Sequence, residues 1–176
     1  EEPPDPAAPL REVEARASHA LPTLRSEAHI VYTEANVPHI FAADRRDLAV
    51  VWGFQVARDR YFMMDLSRRL ALGEISGLLG QDALDADMES RMEGNRQIAE
   101  RMLALAEDHH PEIVEVLDAY AEGVNAYIDG VRAGTLPAPS ELELAKGLLG
   151  VDDAADLLEP WDRLDVVACG ATVIAM

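Results

Sequence analysis

Residues 48–72 constrain the fold most, because they predict one long helix that carries charges inside an apolar segment. The stretch has no proline and a single glycine, Gly53, and its apolar residues recur at helical spacing. Its central and C-terminal charges are Arg58, Asp59, Arg60, Asp65, Arg68 and Arg69. Partly buried charges are tolerated only when they are paired, so we expect this helix to need specific ionic partners.

A β-hairpin is predicted just before this helix, in residues 29–41. Two runs of β-branched and aromatic residues flank residues 34–36, whose composition is typical of a tight turn. Pro38 must lie at an edge or near a strand start, since it has no N–H to donate to a neighbouring strand. Either Asp44 or Asp47 is expected to cap the long helix.

Further helices are predicted downstream, separated by glycine and proline. Residues 87–107 and 111–129 have apolar residues at helical spacing, and we expect an antiparallel pair with the methionines of the first helix in the core. Residues 141–158 predict one or two short helices. Residues 161–176 predict an apolar helix with Asp162 in its first turn.

Composition and the chain ends predict the domain organisation. With 49% hydrophobic and 5% aromatic residues, we expect one mainly helical domain over residues 27–176. Residues 1–26 are rich in proline and acid, and we expect a mobile arm that begins where a targeting segment was removed. The apolar segment closing at Met176 has no cap, so we expect a further segment to follow it or to pack on it.

The charge balance excludes two classes of partner. The net charge is −18, from 33 acidic and 15 basic residues, whereas nucleic acids and anionic membranes require a basic surface. No apolar run approaches the roughly 20 residues of a membrane-spanning helix. Cys169 is the only cysteine, which excludes an intrachain disulfide framework and a cysteine-rich zinc site. A solvated acidic surface is the simple interpretation, with a divalent-cation surface or a salt-rich habitat as alternatives.

Three local patterns suggest ligand sites but lack the required spacing. Residues 73–80 are rich in glycine, yet no lysine follows and the spacing matches neither a P-loop nor a dinucleotide fingerprint. The acidic residues at 82–89 lack the glycine and the closing glutamate of a calcium loop, and favour a helix N-terminus. His109 and His110 are adjacent, so they do not form the i, i+4 pair of a metal site. We therefore assign no metal ligand on this chain.

Four motifs occur in an order that resembles one family. They are NVPHIFA, GFQVARDRYFMMDLSRRLALGEISGLLG, AYAEGVNAYID, and PW followed by DV. In this order they resemble the α subunit of the penicillin acylase family, a group of N-terminal nucleophile hydrolases. The resemblance covers residues 30–176, with residues 141–159 matching poorly.

The resemblance implies a fold and an activity. The fold implied is α+β: a helix-rich α subunit of a two-chain αββα hydrolase, with short N-terminal strands and then several helices. A periplasmic or secreted precursor would cut itself into two chains, and the β chain would begin with a serine nucleophile activated by its own α-amino group. The implied reaction is hydrolysis of a linear amide through an acyl-enzyme. Substrates within the family include β-lactam side chains, N-acyl homoserine lactones and related acyl amides.

The resemblance also implies roles for individual residues, none of them catalytic. The last helix would contribute Val173, Ile174 and Met176 to an acyl-binding pocket, although ordinary core packing explains these apolar residues equally well. The residues implied to have structural or interface roles, orienting the chain against a β chain, are Arg58, Asp59, Arg60, Arg68, Arg69, Trp161 and Asp165.

Two further expectations concern calcium and an alternative function. The resemblance implies no cofactor for the chemistry, and a structural calcium ion bound mainly by the β chain. The alternative hypothesis is a non-enzymatic acidic helical module for binding or assembly. Such a module would unfold cooperatively by itself, whereas an obligate subunit depends on its partner for stability.

Overall fold

The computed structural model describes residues 8–174 and is built around two long helices, α1 (Arg45–Leu72) and α5 (Pro111–Arg132). The other elements, in chain order, are β1 (His29–Tyr32), β2 (Pro38–Phe41), α2 (Ser76–Leu79), α3 (Leu84–Glu93), α4 (Asn95–His109), α6 (Ser140–Ala145) and α7 (Arg163–Ile174). Short 3-10 turns occupy Ala8–Glu12, Gln81–Ala83 and Ala154–Leu157. The predicted helix-rich chain with short N-terminal strands is confirmed.

The predicted hairpin is present and leads into α1. β1 and β2 pair antiparallel, with His29 opposite Phe41 and Tyr32 opposite Pro38. Asn36 adopts a left-handed conformation with φ of 59°, which an asparagine tolerates better than most residues in a tight turn. Pro38 begins β2 immediately after the turn, as its missing N–H requires.

Two aspartates organise the start of α1. Asp44 is the N-cap and accepts a hydrogen bond of 2.8 Å from the backbone N–H of Asp47. Asp47 is buried and accepts from the backbone N–H groups of Arg25 and Ser26, at 3.0 and 2.9 Å. The end of the N-terminal segment is therefore tied to α1. The mobility of residues 1–26 stays a prediction, and residues 1–7 lie outside the described part of the chain.

Two glycines let α1 and α5 approach closely. A Cβ atom added at Gly53 would lie 2.1 Å from the carbonyl oxygen of Tyr120, and one at Gly123 would lie 1.9 Å from that of Val50. Neither distance leaves room for a side chain, so the backbones touch at this crossing. The main core extends from here along both helices, and includes Phe54.

The predicted helix over residues 87–107 is interrupted. Gly94, with φ of 75°, ends α3 and precedes α4. The expectation that the methionines of this region are core residues is also wrong for this chain, because Met88 is 58% exposed and Met92 is 79% exposed. Asp87 and Ser90 occupy the buried side of α3 instead.

The second half of the chain returns to α1. Tyr127 of α5, Leu158 and Trp161 are buried in the same core cluster as Tyr61 of α1. Residues 158–161 therefore lie in the core just before α7 begins. Among the described residues, no helix combines the length and the apolar character needed to cross a membrane.

Candidate functional site

The last helix, α7, carries the residues that the sequence resemblance assigns to an acyl pocket. The described backbone is helical through Ile174 and so includes Val173. The side chains of these two residues lie outside the described part of the structure, as does Met176 as a whole. Their role in a pocket therefore stays a prediction, whereas the start of α7 is described in full.

Asp162 caps α7. Its carboxylate accepts hydrogen bonds from the backbone N–H groups of Leu164 and Asp165, at 2.7 and 3.1 Å. The backbone N–H of Asp162 in turn donates to the carboxylate of Asp165, at 2.8 Å. This reciprocal arrangement has the form of a capping box, in which two side chains satisfy the free N–H groups of the first turn.

The start of α7 is also fixed to α5. Asn125 donates a hydrogen bond of 2.8 Å to the carbonyl oxygen of Trp161 and accepts one of 2.8 Å from its backbone N–H. Arg163 makes a forked contact with both carboxylate oxygens of Asp118, at 2.7 and 2.8 Å. Such two-point contacts define orientation as well as distance.

Five charged residues join α1 to the start of α7, and we call them the ionic cluster: Asp65, Arg68, Arg69, Glu159 and Asp165. The guanidinium of Arg68 contacts Asp65 on its own helix, Glu159 at 3.1 Å and Asp165 at 3.1 Å. Arg69 donates to Asp65 at 2.7 Å and lies 2.9 Å from Glu159. All members except Glu159, whose side chain is 53% exposed, are buried.

Burial and pairing shift the pKa values within the ionic cluster in different directions. Burial lowers the pKa of Arg68, but the Asp65 carboxylate more than compensates, and the net shift is upward. Burial raises the pKa of Glu159, but Arg68 and Arg69 outweigh it and the net shift is downward. For Asp165 burial dominates, so its pKa is raised although the Asp162 N–H and Arg68 oppose the shift. Within the cluster, Asp165 is thus the carboxylate for which desolvation outweighs the stabilising contacts.

Aromatic side chains adjoin the ionic cluster. The guanidinium of Arg68 lies 5.5 Å from the centre of the buried Trp161 ring, within the range of a cation–π contact. The hydroxyl of Tyr61 contacts the backbone of Glu159, with distances of 3.3 Å to the carbonyl oxygen and 3.2 Å to the N–H. Burial is the main reason that the pKa of Tyr61 is raised.

These contacts correct one sequence-based expectation. Arg68 and Arg69 were expected to find their ionic partners on a second chain, but their partners lie within this chain. The structure brings them together with Trp161 and Asp165, which belong to a different sequence motif. The reason is that α7 returns along α1 and presents its acidic first turn to the two arginines.

Arg58, Asp59 and Arg60 lie elsewhere, on an exposed part of α1. The expectation that these charges are partly buried is wrong for this chain alone. Asp59 accepts a hydrogen bond of 2.7 Å from the buried Gln55, and Arg60 has the non-helical angles φ −145° and ψ 23°. Their exposure at a kink in α1 leaves a role towards a second chain as a prediction.

Sequence reasoning missed two members of the ionic cluster as site residues, Asp65 and Glu159. Asp65 precedes Arg68 and Arg69 by three and four residues, the helical spacing at which opposite charges meet. That spacing could have identified it. Glu159 directly precedes the PW motif, but no local pattern predicts that it faces α1, because this depends on the tertiary fold.

The described residues do not fit a metal site. Among residues 8–174, no three side chains of His, Cys, Asp or Glu are arranged to hold a metal ion. The carboxylates of the ionic cluster are instead used by arginines and by backbone N–H groups.

Comparison with known proteins identifies the family. The sequence model described as penicillin amidase matches residues 27–176, which include α1, α5 and the whole ionic cluster. The chain belongs to this family. The resemblance drawn from the four motifs is thereby confirmed.

Curated relatives of this penicillin amidase chain are acylases. It is 37% identical over 108 residues to penicillin G acylase of Escherichia coli, which covers 61% of the chain and 12% of that protein. It is 33% identical over 150 residues to penicillin acylase 2 proenzyme of Pseudomonas sp. strain SE83, an alignment that covers 85% of this chain and 18% of that protein. It is 35% identical over 102 residues to an acyl-homoserine lactone acylase of Pseudomonas syringae pv. syringae, covering 58% of this chain and 12% of that protein. The matched region is thus less than a fifth of each relative.

A solved structure resembles the chain in fold. The chain aligns with a thermostable penicillin G acylase from Alcaligenes faecalis at a TM-score of 0.62 and 30% sequence identity. The alignment covers 85% of this chain and 72% of the matched chain. The helical arrangement described above therefore agrees with that of a penicillin acylase.

Proposed function

We propose that this chain is the non-nucleophile α subunit of an acylase that hydrolyses linear amides, with the nucleophile on a second, larger chain from the same precursor. The observation that carries the proposal is the family match over residues 27–176. The named relatives are penicillin acylases and an acyl-homoserine lactone acylase. In the proposed mechanism the hydroxyl oxygen of the β chain's N-terminal serine attacks the amide carbonyl, while its own α-amino group takes the hydroxyl proton and passes it to the departing amine as the C–N bond breaks. Water then hydrolyses the acyl-serine ester, which frees the carboxylic acid and restores the serine.

The two coverage values support a division into chains. The chain covers 72% of the matched chain in the solved acylase but only 12–18% of the curated relatives. The matched solved chain is therefore much shorter than those relatives, one of which is named a proenzyme. A small chain separated from a longer precursor accounts for both values.

Exposed apolar side chains on α4 and α1 support a large partner. On α4, Ile98, Met102 and Leu105 are 49%, 48% and 60% exposed and share one face at i, i+4, i+7 spacing. On α1, Trp52 and Met63 are 54% and 53% exposed. Groups of exposed apolar side chains on a helix face are typical of protein interfaces. We propose that the β chain covers these faces.

Substrate, location and calcium are further parts of the proposal. The acyl group would lie against the end of α7, near Val173, Ile174 and Met176, because acyl pockets are mostly apolar. The leaving group would be a β-lactam nucleus, a homoserine lactone or a related amine. We propose a periplasmic or secreted enzyme in which calcium, where present, is bound mainly by the β chain. The competing proposal, an acidic binding module without activity, has no supporting relative among those named here.

Hydrolysis of chromogenic amides tests the proposal. Protein expressed from the full-length gene should release p-nitroaniline from phenylacetyl or aliphatic acyl p-nitroanilides, because the assembled enzyme would contain both the pocket and the nucleophile. The control is a variant in which the first residue of the mature larger chain is alanine, supplied by co-expression of separate chains. Equal activity of the control and the wild type would refute the N-terminal nucleophile. No hydrolysis of any amide would favour the binding module.

A further inference from the structure

Charged side chains of α1 help to hold the start of α7 in one orientation. Asp165, in the first turn, contacts Arg68 of α1 at 3.1 Å, and Glu159 contacts the same guanidinium at 3.1 Å. The carboxylate of Asp65 accepts a hydrogen bond of 3.0 Å from the Nε of Arg68 and another from the Nε of Arg69. The position of α7 relative to α1 is therefore coupled to a network of directional bonds.

Apolar side chains also hold α7. The buried Ala168 belongs to a cluster with Ala71, Leu72 and Ala99, and Leu164 and Val167 of α7 pack against it. Apolar packing is not directional, because its free energy depends mainly on the area removed from water. The ionic cluster therefore adds a directional restraint between α7 and α1.

The energetics of the ionic cluster suit a positioning role better than a stabilising one. Burial raises the pKa of Asp165 despite the nearby Arg68, so its ionised form carries a cost in the folded chain. Buried ion pairs often add little net stability compared with apolar residues of similar size. What they do supply is a single favoured geometry, since a shifted helix would leave charges buried and unpaired.

We propose that the ionic cluster positions α7 and thereby determines which acyl chains the assembled enzyme accepts. This rests on the proposed function, in which the end of α7 forms part of the acyl pocket. The described helix is continuous from Arg163 to Ile174, so a displacement at Asp165 is carried to Ile174, about 14 Å further along the axis. Displacements near 1 Å are enough to alter turnover or selectivity. Asp65, Arg68, Arg69, Glu159 and Asp165 are thus positioning residues that do not touch the substrate.

The test compares Asp165→Asn with Asp156→Asn in the assembled enzyme made from the full-length gene. Asparagine at 165 keeps its size and can still accept the Asp162 N–H, but it loses the charge that pairs with Arg68. Asp156 is an exposed aspartate on the turn before Glu159 and serves as the matched control. The readout is kcat and KM for butanoyl and octanoyl p-nitroanilides.

We expect Asp165→Asn to change the octanoyl-to-butanoyl ratio of kcat/KM by about threefold or more, mainly through KM. One methylene group in an apolar pocket typically changes kcat/KM by roughly tenfold or more. We expect a smaller change here, because the variant shifts the helix that lines the pocket and removes no contact with the substrate. Asp156→Asn should keep the wild-type ratio. Arg68→Lys, which keeps the charge but loses the fork, should shift the ratio in the same way and replaces Asp165→Asn if that variant does not fold.

Hydrogen exchange separates this inference from the proposed function. In intact Asp165→Asn enzyme, amides of residues 163–174 should exchange faster than in the wild type, and those of α5 should not. An active variant with unchanged exchange in α7 and an unchanged acyl ratio would overturn the positioning role while leaving the acylase function intact. A wild-type protein that hydrolyses no amide would overturn the proposed function and the specificity inference with it.

Discussion

Asp87 has its carboxylate buried beneath the turn between α1 and α2. It accepts hydrogen bonds from the backbone N–H groups of Ile75 and Ser76, at 2.7 and 3.1 Å, and from the Ser76 hydroxyl. Burial raises its pKa, but these hydrogen bonds outweigh burial and the net shift is downward. The acidic run that contains Asp87 therefore satisfies a chain turn, which agrees with the helix-terminus interpretation over a calcium loop.

Replacement of Asp87 should reduce stability in a pH-dependent way. At pH 7 we expect Asp87→Asn to lower the free energy of unfolding by about 1–2 kcal/mol, because the amide cannot accept all three donors. A carboxylate with a depressed folded pKa stabilises above its unfolded pKa of about 3.9, and the effect disappears as the pH falls through the folded value. Urea denaturation of the assembled protein at pH 7 and below pH 4 measures the difference.

Asp85→Asn is the control, since Asp85 lies on the same first turn of α3 but is exposed. It should change the free energy of unfolding by less than about 0.5 kcal/mol at pH 7. If both variants lose the same stability, the Asp87 contacts do not have the role assigned to them.

Helix boundaries show which parts of this fold the sequence could predict. The absence of proline in α1 and the helical spacing of apolar residues in α5 were sufficient to predict both helices, because these signals lie within each segment. The break at Gly94 was missed, because apolar spacing continues across it. Only part of the ionic cluster could be predicted. The sequence indicates that the charges on α1 need partners. It does not show that Asp165 of α7, 97 positions after Arg68, is one of these partners.

The close crossing of α1 and α5 depends on Gly53 and Gly123, so a larger residue at either position should destabilise the helix pair. Gly123→Ala should destabilise the protein by about 1–3 kcal/mol, because its Cβ would lie 1.9 Å from a backbone oxygen that cannot move alone. Thermal unfolding followed by circular dichroism measures the loss. Gly147→Ala is the control, since nothing lies within 4 Å of its added Cβ. A Gly123→Ala protein as stable as the control would show that the helices are further apart than described.

The whole chain combines a packed core with exposed apolar helix faces. Tyr61, Tyr127 and Trp161 are nearly inaccessible, yet Met92 is 79% exposed and Leu105 is 60% exposed. Sequence reasoning treated the methionines as core residues, and in the assembled protein that expectation would be met by a second chain. Which faces are covered would depend on the proposed partner, so it could not be predicted from the periodicity of one chain. The proposed acyl-pocket residues at the end of α7 would depend on that partner in the same way.

An intact-mass measurement of the native protein, purified after expression from the full-length gene, tests the proposed two-chain acylase. We expect two polypeptides in equal amounts, one that contains residues 27–176 and a larger one that begins with serine. Each should co-elute with the other under native conditions and separate only on denaturation. A single unprocessed polypeptide, or a small chain that remains soluble and folded without any partner, would refute the division into an α and a β chain.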